Sequence, residues 1–310
     1  MNAKISEQSA YGISDASICV CICTYKRPDL LKRALEELAK QDTGGCFSYS
    51  IVVADNDSRQ SAQRIVAEFR SAHDIAVTYC VEPEQNIALA RNKALEHVHA
   101  DFAAFMDDDE FPARDWLATM LKTLTEHNVA GVLGPVRPFF DHPPPDWLIK
   151  GRFCERPEHS TGQVLYWKQT RTGNVMFRRN ILEGVSSPFL AEFGNGGEDQ
   201  DFFRRMIERE YRFVWCNEAV VYEVVPPERC KRRYLLKRAL LRGQNEKLLL
   251  NGRSLVKSLV AVPVYTVLLP MAWLWGEHVF LKYLICLLDH LGKLLMSVGI
   301  RPIRGRYLTG

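Results

Sequence analysis

Several catalytic signatures are missing from this 310-residue chain. It has no G-x-S-x-G, no P-loop and no G-x-G-x-x-G. That sets aside serine hydrolases, P-loop NTPases and ordinary dinucleotide enzymes. No histidine pattern of the H-E-x-x-H kind is present, and none of the nine cysteines forms a C-x-x-C pair. A zinc site or a disulfide framework therefore lacks its spacing. Cys19, Cys21 and Cys23 alternate, which puts them on one face of a strand. They read as buried, reduced thiols of a cytosolic chain. The net charge is only +3 and gives no footprint for nucleic acid, so no such partner is expected. The opening MNAKISEQSAYGISDAS has no apolar segment of the secretory kind, and residues 1–16 are expected to form a loose tail. There is no internal repeat and no low-complexity tract.

What is present is ordinary in bulk. Apolar residues make up 47% and charged residues 25%, enough to bury a sizeable core in one large α/β domain with an appendage, or in two domains. The first half alternates strand and helix patterns. Residues 18–24, 50–54, 76–81 and 102–106 are short apolar runs that predict strands. Residues 30–40, 61–71 and 87–98 carry helical spacing, and Pro28 suits a first helical turn. This order predicts an α/β fold with a mostly parallel, doubly wound sheet. Ligands of such sheets bind beyond the carboxyl ends of the strands. The polar clusters Thr24–Arg27, Asp55–Ser58 and Asp107–Asp109 fall at those ends.

Farther along, residues 136–167 are rich in proline, charge and aromatics and include Pro143-Pro144-Pro145. They are expected to be loops over the site, an acceptor lid. Residues 171–179 predict a strand, 194–208 a glycine-rich loop entering a helix, and 211–225 a strand-like run.

The acidic clusters carry the chemistry. Two carboxylates one residue apart at a strand end, as in Asp107-Asp108-Asp109, can hold a hard divalent ion with positions left for phosphate oxygens. A solvated acidic turn would look the same locally. Asp55 or Asp57 can accept a hydrogen bond from a base or ribose edge, or serve the turn alone. A carboxylate of Glu198-Asp199 at a helix start can take a proton from an acceptor hydroxyl, or cap the helix. Arg91 has the fork to reach a phosphate, or lies on an amphipathic surface.

Taken in order, CICTYKRPDLLKRAL, VVADNDS, EQNIALARNKAL, FMDDDE, RTGNVMFRR and GEDQDFFRR resemble glycosyltransferase family 2, whose members are inverting enzymes of the GT-A fold. The likeness covers about residues 17–225. With the apolar tail it looks most like bacterial exopolysaccharide enzymes, including succinoglycan-type glucosyltransferases. The resemblance implies a nucleotide pocket lined by Thr24, Tyr25 and Arg27, with Asp55 on the base, usually uracil, and Arg91 on the nucleotide. It implies Asp107 and Asp109 as the pair for Mn²⁺ or Mg²⁺, with Asp108 near the diphosphate. Asp199 would be the catalytic base, with Glu198 beside it holding hydroxyls. Many relatives carry a late histidine where VVYEVVPPER has Glu223, and no role is assigned to Glu223. A UDP-sugar donor and a lipid-linked or saccharide acceptor follow from the same likeness.

After Pro226-Pro227 the composition shifts. Residues 229–242 hold seven Lys or Arg, and residues 258–276 run nineteen positions without a charge. Residues 280–296 form a further apolar helix pattern. A basic stretch beside an apolar one predicts attraction to an anionic membrane surface at the cytoplasmic face, as a peripheral, re-entrant or single-pass segment, although residues 255–296 packed as buried helices of a soluble domain would read the same way. The expected division is a tail over 1–16, a GT-A domain over 17–226 and a membrane-associating helical region over 227–310. Two rivals remain. A nucleotidyltransferase usually opens with a glycine-rich loop, and residues 18–29 contain no glycine. A non-catalytic membrane scaffold leaves the acids at the strand ends without a purpose.

Overall fold

The computed structural model describes residues 16–194, 196–245 and 252–300. Of the tail expected over 1–16, only Ala16 lies within them, and it opens the first strand. The elements follow as β1 (Ala16–Thr24), α1 (Pro28–Leu38), β2 (Phe47–Asp55), α2 (Gln63–Ala72), β3 (Val77–Val81), α3 (Ile87–Glu96) and β4 (Phe102–Asp107). Next come β5 (Glu110–Pro112), α4 (Trp116–Glu126), β6 (Gly131–Leu133), β7 (Val136–Phe139), α5 (Asp146–Lys150), β8 (Asn174–Arg178) and α6 (Glu198–Glu208). The chain continues through β9 (Phe213–Trp215), β10 (Val221–Val224), α7 (Arg232–Asn245), α8 (Gly252–Leu274) and α9 (Glu277–Ser297).

The main sheet has the order β3-β2-β1-β4-β8-β6-β9. Its first four strands are parallel, as the βαβ rhythm predicted. β8 then runs antiparallel to β4 and β6, and β9 runs parallel to β6. The sheet is thus mixed but mostly parallel, flanked by helices. β1 alternates between two cores. Ile18, Val20 and Ile22 pack with Leu31, Leu35 and Trp116 on one side. Cys19 and Cys21 face the other side with Ala88, Phe105, Phe202 and Phe203. Burial of both strand faces is what a central parallel strand requires. The alternating cysteines are free thiols inside that second layer, with Cys23 at its margin.

Two segments differ from expectation. Residues 136–167 are not all loop. Pro145, extended at φ −60° and ψ 140°, leads into α5, with Asp146 in its first turn. The run 211–225 breaks at the turn 216–220, so β9 joins the main sheet while β10 joins a small sheet of order β5-β10-β7. Asn217 and Glu218 supply the turn chemistry.

The chain divides into two compact units, Met1–Arg137 with Arg156–Glu223, and Pro138–Glu155 with Val224–Gly310. In the second unit α8 and α9 are antiparallel neighbours. Trp273 meets Phe280 edge-on at 5.1 Å, Tyr265 meets Tyr283 at 5.8 Å, and Ser258 Oγ lies 3.0 Å from His290 Nδ1. α7 runs beside α9, tied by Arg232–Glu277 and by Arg242–Asp289 at 2.7 Å. Residues Ser254–Leu274 are long and apolar enough to cross a membrane, by length and composition.

Candidate active site

The carboxyl ends of β1, β2 and β4 gather the first unit's polar clusters. Thr24 Oγ1 donates to Asp108 Oδ2 at 2.8 Å. Arg27 Nη1 donates to Asp108 Oδ1 at 3.2 Å and to Asp109 Oδ2 at 3.3 Å. Thr24, the last residue of β1, and Arg27, at the N-cap of α1, therefore hold the turn after β4. Tyr25 is half-buried beside them, with the Lys26 ammonium 4.8 Å from its ring centre.

Asp55 is placed differently from Thr24 and Arg27. It is fully buried, and its carboxylate accepts from Asp57 N, Ala62 N and the Tyr79 hydroxyl. Three internal donors make it an anchor for the loop after β2. The structure does not bring it to a surface where a base could lie against it. Asn56 ties the same loop to the next one, donating to Glu82 O and accepting from Asn86 N.

Arg91 and the start of α6 are joined directly. Arg91 Nη1 donates to Glu198 Oε1, and Arg91 Nη2 lies 3.7 Å from Asp107 Oδ1. Arg91 and Glu198 are both buried, while the Asp107 side chain is 44% exposed at the rim. Two asparagines, one at the N-cap of α3 and one within it, prepare this junction. Asn86 caps α3 through Ala88 N and Leu89 N, and its Nδ2 donates to Ala191 O. Asn92 exchanges two hydrogen bonds with the Phe189 backbone. These hold the segment 189–194 that delivers Gly196 and Gly197, both at positive φ, to the N-terminus of α6. A Cβ on Gly194 would meet Asn86 Oδ1 at 1.9 Å, so only glycine permits this approach.

Asp199 follows Glu198 and is half-buried, its Oδ1 accepting from Gln200 N. Glu198 Oε2 is buried without a hydrogen-bond partner. Burial raises the Glu198 carboxyl above its usual range, and Arg91 offsets part of that rise.

One group was not legible in the sequence. Glu110 and Glu223 stand opposite each other in the β5–β10 register, with Arg156 paired to Glu223 Oε2 at 2.5 Å and 3.9 Å from Glu110 Oε1. Glu110 Oε2 accepts from Asp107 N at 3.0 Å, while Oε1 is buried with no hydrogen-bond partner. Gly173 makes room, because a Cβ there would lie 2.9 Å from Glu110 Oε1 and 3.3 Å from Asp107 Oδ2. Arg156 sits in a stretch with no local periodicity, so no sequence signal pointed to it.

The acids crowd one another. Burial pushes the Asp109 carboxyl up to about 7, aided by Asp107, Asp108 and Glu223. Burial also raises Asp108, against the pull of Arg27, and raises Glu110 well above its usual range. Concentrated carboxylate charge of this kind suits a hard, oxygen-seeking cation. Among the described residues no three acid, His or Cys groups converge closely enough to hold an ion by themselves.

A mostly parallel sheet with acidic loops at its carboxyl edge, and a glycine-led acidic helix facing them, defines a sugar-transfer enzyme of the GT-A architecture. The chain belongs to glycosyltransferase family 2, whose model, Glycosyl transferase family 2, matches residues 19–186. It is 36% identical over 237 residues to the succinoglycan biosynthesis protein ExoM of Rhizobium meliloti (strain 1021), covering 75% of each chain. It is 22% identical over 179 residues to WfaP of Escherichia coli, described as a UDP-Glc:alpha-D-GlcNAc-diphosphoundecaprenol beta-1,3-glucosyltransferase, covering 56% of this chain and 65% of that one. In fold it matches the mannosyltransferase PcManGT of Pyrobaculum calidifontis, solved with GDP-Man and Mn²⁺, at TM-score 0.61 and 21% identity over 91% of this chain and 86% of that one. Residues 1–349 of S. aureus TarS, solved with UDP, match at TM-score 0.52 and 17% identity, over 91% of this chain and 92% of that one.

Proposed function

We propose that this glycosyltransferase moves a sugar, with inversion, from a UDP-sugar to a hydroxyl of a lipid-linked or saccharide acceptor. The product is an exopolysaccharide or related cell-surface glycan, built at the cytoplasmic face of an anionic membrane. The observation that carries the reading is Arg91. It links the carboxylate of Glu198, at the start of α6, to Asp107 at the end of β4. Through it the acids suited to a donor diphosphate and those suited to an acceptor share one rim.

In this reading Asp199 takes the proton from the acceptor hydroxyl. The oxygen then attacks the anomeric carbon from the face opposite the diphosphate, and one displacement inverts the configuration. Glu198 receives acceptor or donor hydroxyls on its unpartnered oxygen. Thr24, Tyr25 and Arg27 line the nucleotide side. Asp55 serves the base through the loop it anchors. Mn²⁺ or Mg²⁺ held by Asp107 and Asp109, with Asp108 close to the diphosphate, would neutralise the charge of the leaving group. The names of the ExoM and WfaP relatives support a surface-glycan product and a lipid-linked acceptor.

The test is a titration of the protein with UDP, with and without Mn²⁺, beside the Asp109→Ala variant. Metal-dependent binding that the variant loses supports the donor site. Binding of GDP or dTDP but not UDP removes the uridine assignment, and no nucleotide binding by folded protein removes the whole reading.

A further inference from the structure

In the second unit α8 packs on α9 along one side and leaves a broad face uncovered. Val256, Leu259, Val260, Val264, Val267, Met271, Trp273 and Leu274 are all exposed on it. So large a contiguous apolar face must be covered in water. Its apolar stretch Ser254–Leu274, at 21 residues, is about 31 Å long, enough to cross a bilayer core.

Its neighbours oppose a crossing. α9 turns back at Gly276 and packs antiparallel to α8 from Trp273–Phe280 to Ser258–His290. α7 runs in the same direction as α9. Arg232 pairs with Glu277 at one end, and Arg242 pairs with Asp289 at the other. The backbones of α7 and α9 meet where Gly292 faces Leu240 O, which a Cβ would approach to 2.6 Å. α7 therefore lies beside the same part of α9 that α8 covers. Were α8 to stand across the membrane, Arg233, Lys237 and Arg238 would stand in the hydrocarbon. These three are exposed and have no acidic partner among the described residues. Charges at that depth are rare and costly.

We infer that α7, α8 and α9 form a platform lying in the plane of an anionic membrane, neither spanning it nor dipping in tip-first. The exposed face of α8 enters the boundary between headgroups and acyl chains, as interfacial helices do. The cations of α7, which has no acidic residue, lie at the level of anionic headgroups. Charge complementarity selects lipid over a second copy of this chain, whose α7 would repel it. The inference rests on the membrane part of the function proposed above.

Two measurements on the full chain test it. The first is flotation with phosphatidylcholine vesicles, with and without phosphatidylglycerol. Binding to the anionic vesicles is expected, weakened by salt. Arg233→Ala, Lys237→Ala and Arg238→Ala together should weaken it roughly 100-fold, at about fivefold per charge, while UDP affinity and the unfolding temperature stay unchanged. The second places a protease-cleavable tag at Gly276 and adds protease to intact spheroplasts. An in-plane platform keeps the tag protected until lysis. Cleavage in intact spheroplasts overturns the in-plane arrangement while leaving membrane binding in place. A chain that floats with no vesicle and forms dimers in light scattering overturns membrane docking itself.

Discussion

Arg91 and Glu198 form a buried ion pair between residues 107 positions apart in sequence. It closes the gap between the helix after β3 and the helix that carries Asp199. The Arg91 guanidinium is 5.7 Å from the Phe189 ring and also faces Asp107, so its charge is balanced on two sides inside an apolar frame.

Removing one partner should be worse than removing both. Arg91→Met leaves Glu198 buried without its cation, and breaking a buried pair in this way costs about 3–5 kcal/mol. The double variant Arg91→Met, Glu198→Leu should recover much of that loss. Urea unfolding of the three proteins checks this. Equal stability of the single and double variants would show that the pair does not matter to the fold.

Asp199→Asn should lower the transfer rate about 10²- to 10⁴-fold, the usual contribution of a positioned general base. UDP affinity should hold, since the proposed function gives Asp199 the acceptor hydroxyl and not the nucleotide. Rates with a screened UDP-sugar, set beside calorimetric UDP binding, separate the two. Loss of UDP binding together with rate would move Asp199 out of the base role.

Gly173→Ala should disturb the acids without touching them chemically. Its Cβ would crowd Glu110 Oε1 and Asp107 Oδ2, and overpacking typically costs about 1–3 kcal/mol. The expected result is a lower unfolding temperature and a weaker effect of Mn²⁺ on UDP affinity. An unchanged Mn²⁺ effect would place Asp107 outside the metal's reach.

The thiols of Cys23 and Cys80 should be inert. Burial pushes Cys23 up to about 12 and Cys80 up to about 11. The reactive species is the thiolate. Its fraction therefore stays negligible at pH 8 and rises only as pH nears those values. Iodoacetamide at pH 8, followed by peptide mapping, should label neither residue in the native protein and both after unfolding. Native labelling at the unfolded rate would mean the second core layer is open.

Much of the first half was readable because its signals are local. The alternation of Ile18, Val20 and Ile22 with Cys19, Cys21 and Cys23 predicts a strand buried on both faces, and each set does pack into its own layer. The junction made by Asn86, Asn92 and Phe189 was not readable, since its bonds reach about 100 residues along the chain. Asp55 shows the limit from the other side. Its position at a strand end was clear, but only the contacts of Ala62 and Tyr79 reveal that its oxygens are already engaged.

The βαβ order, the acids at the strand ends, the glycine-led α6 and the apolar and basic tail are all legible in the chain. Hydrophobic period and turn chemistry act over a few residues, so they are written in the chain. Tertiary structure decided what those groups face. It put Arg91 between Glu198 and Asp107, set Glu110 against Glu223 with Arg156 beside them, and laid the basic α7 along α9. Such pairings depend on strand register and helix crossing, which are fixed only when the whole core packs.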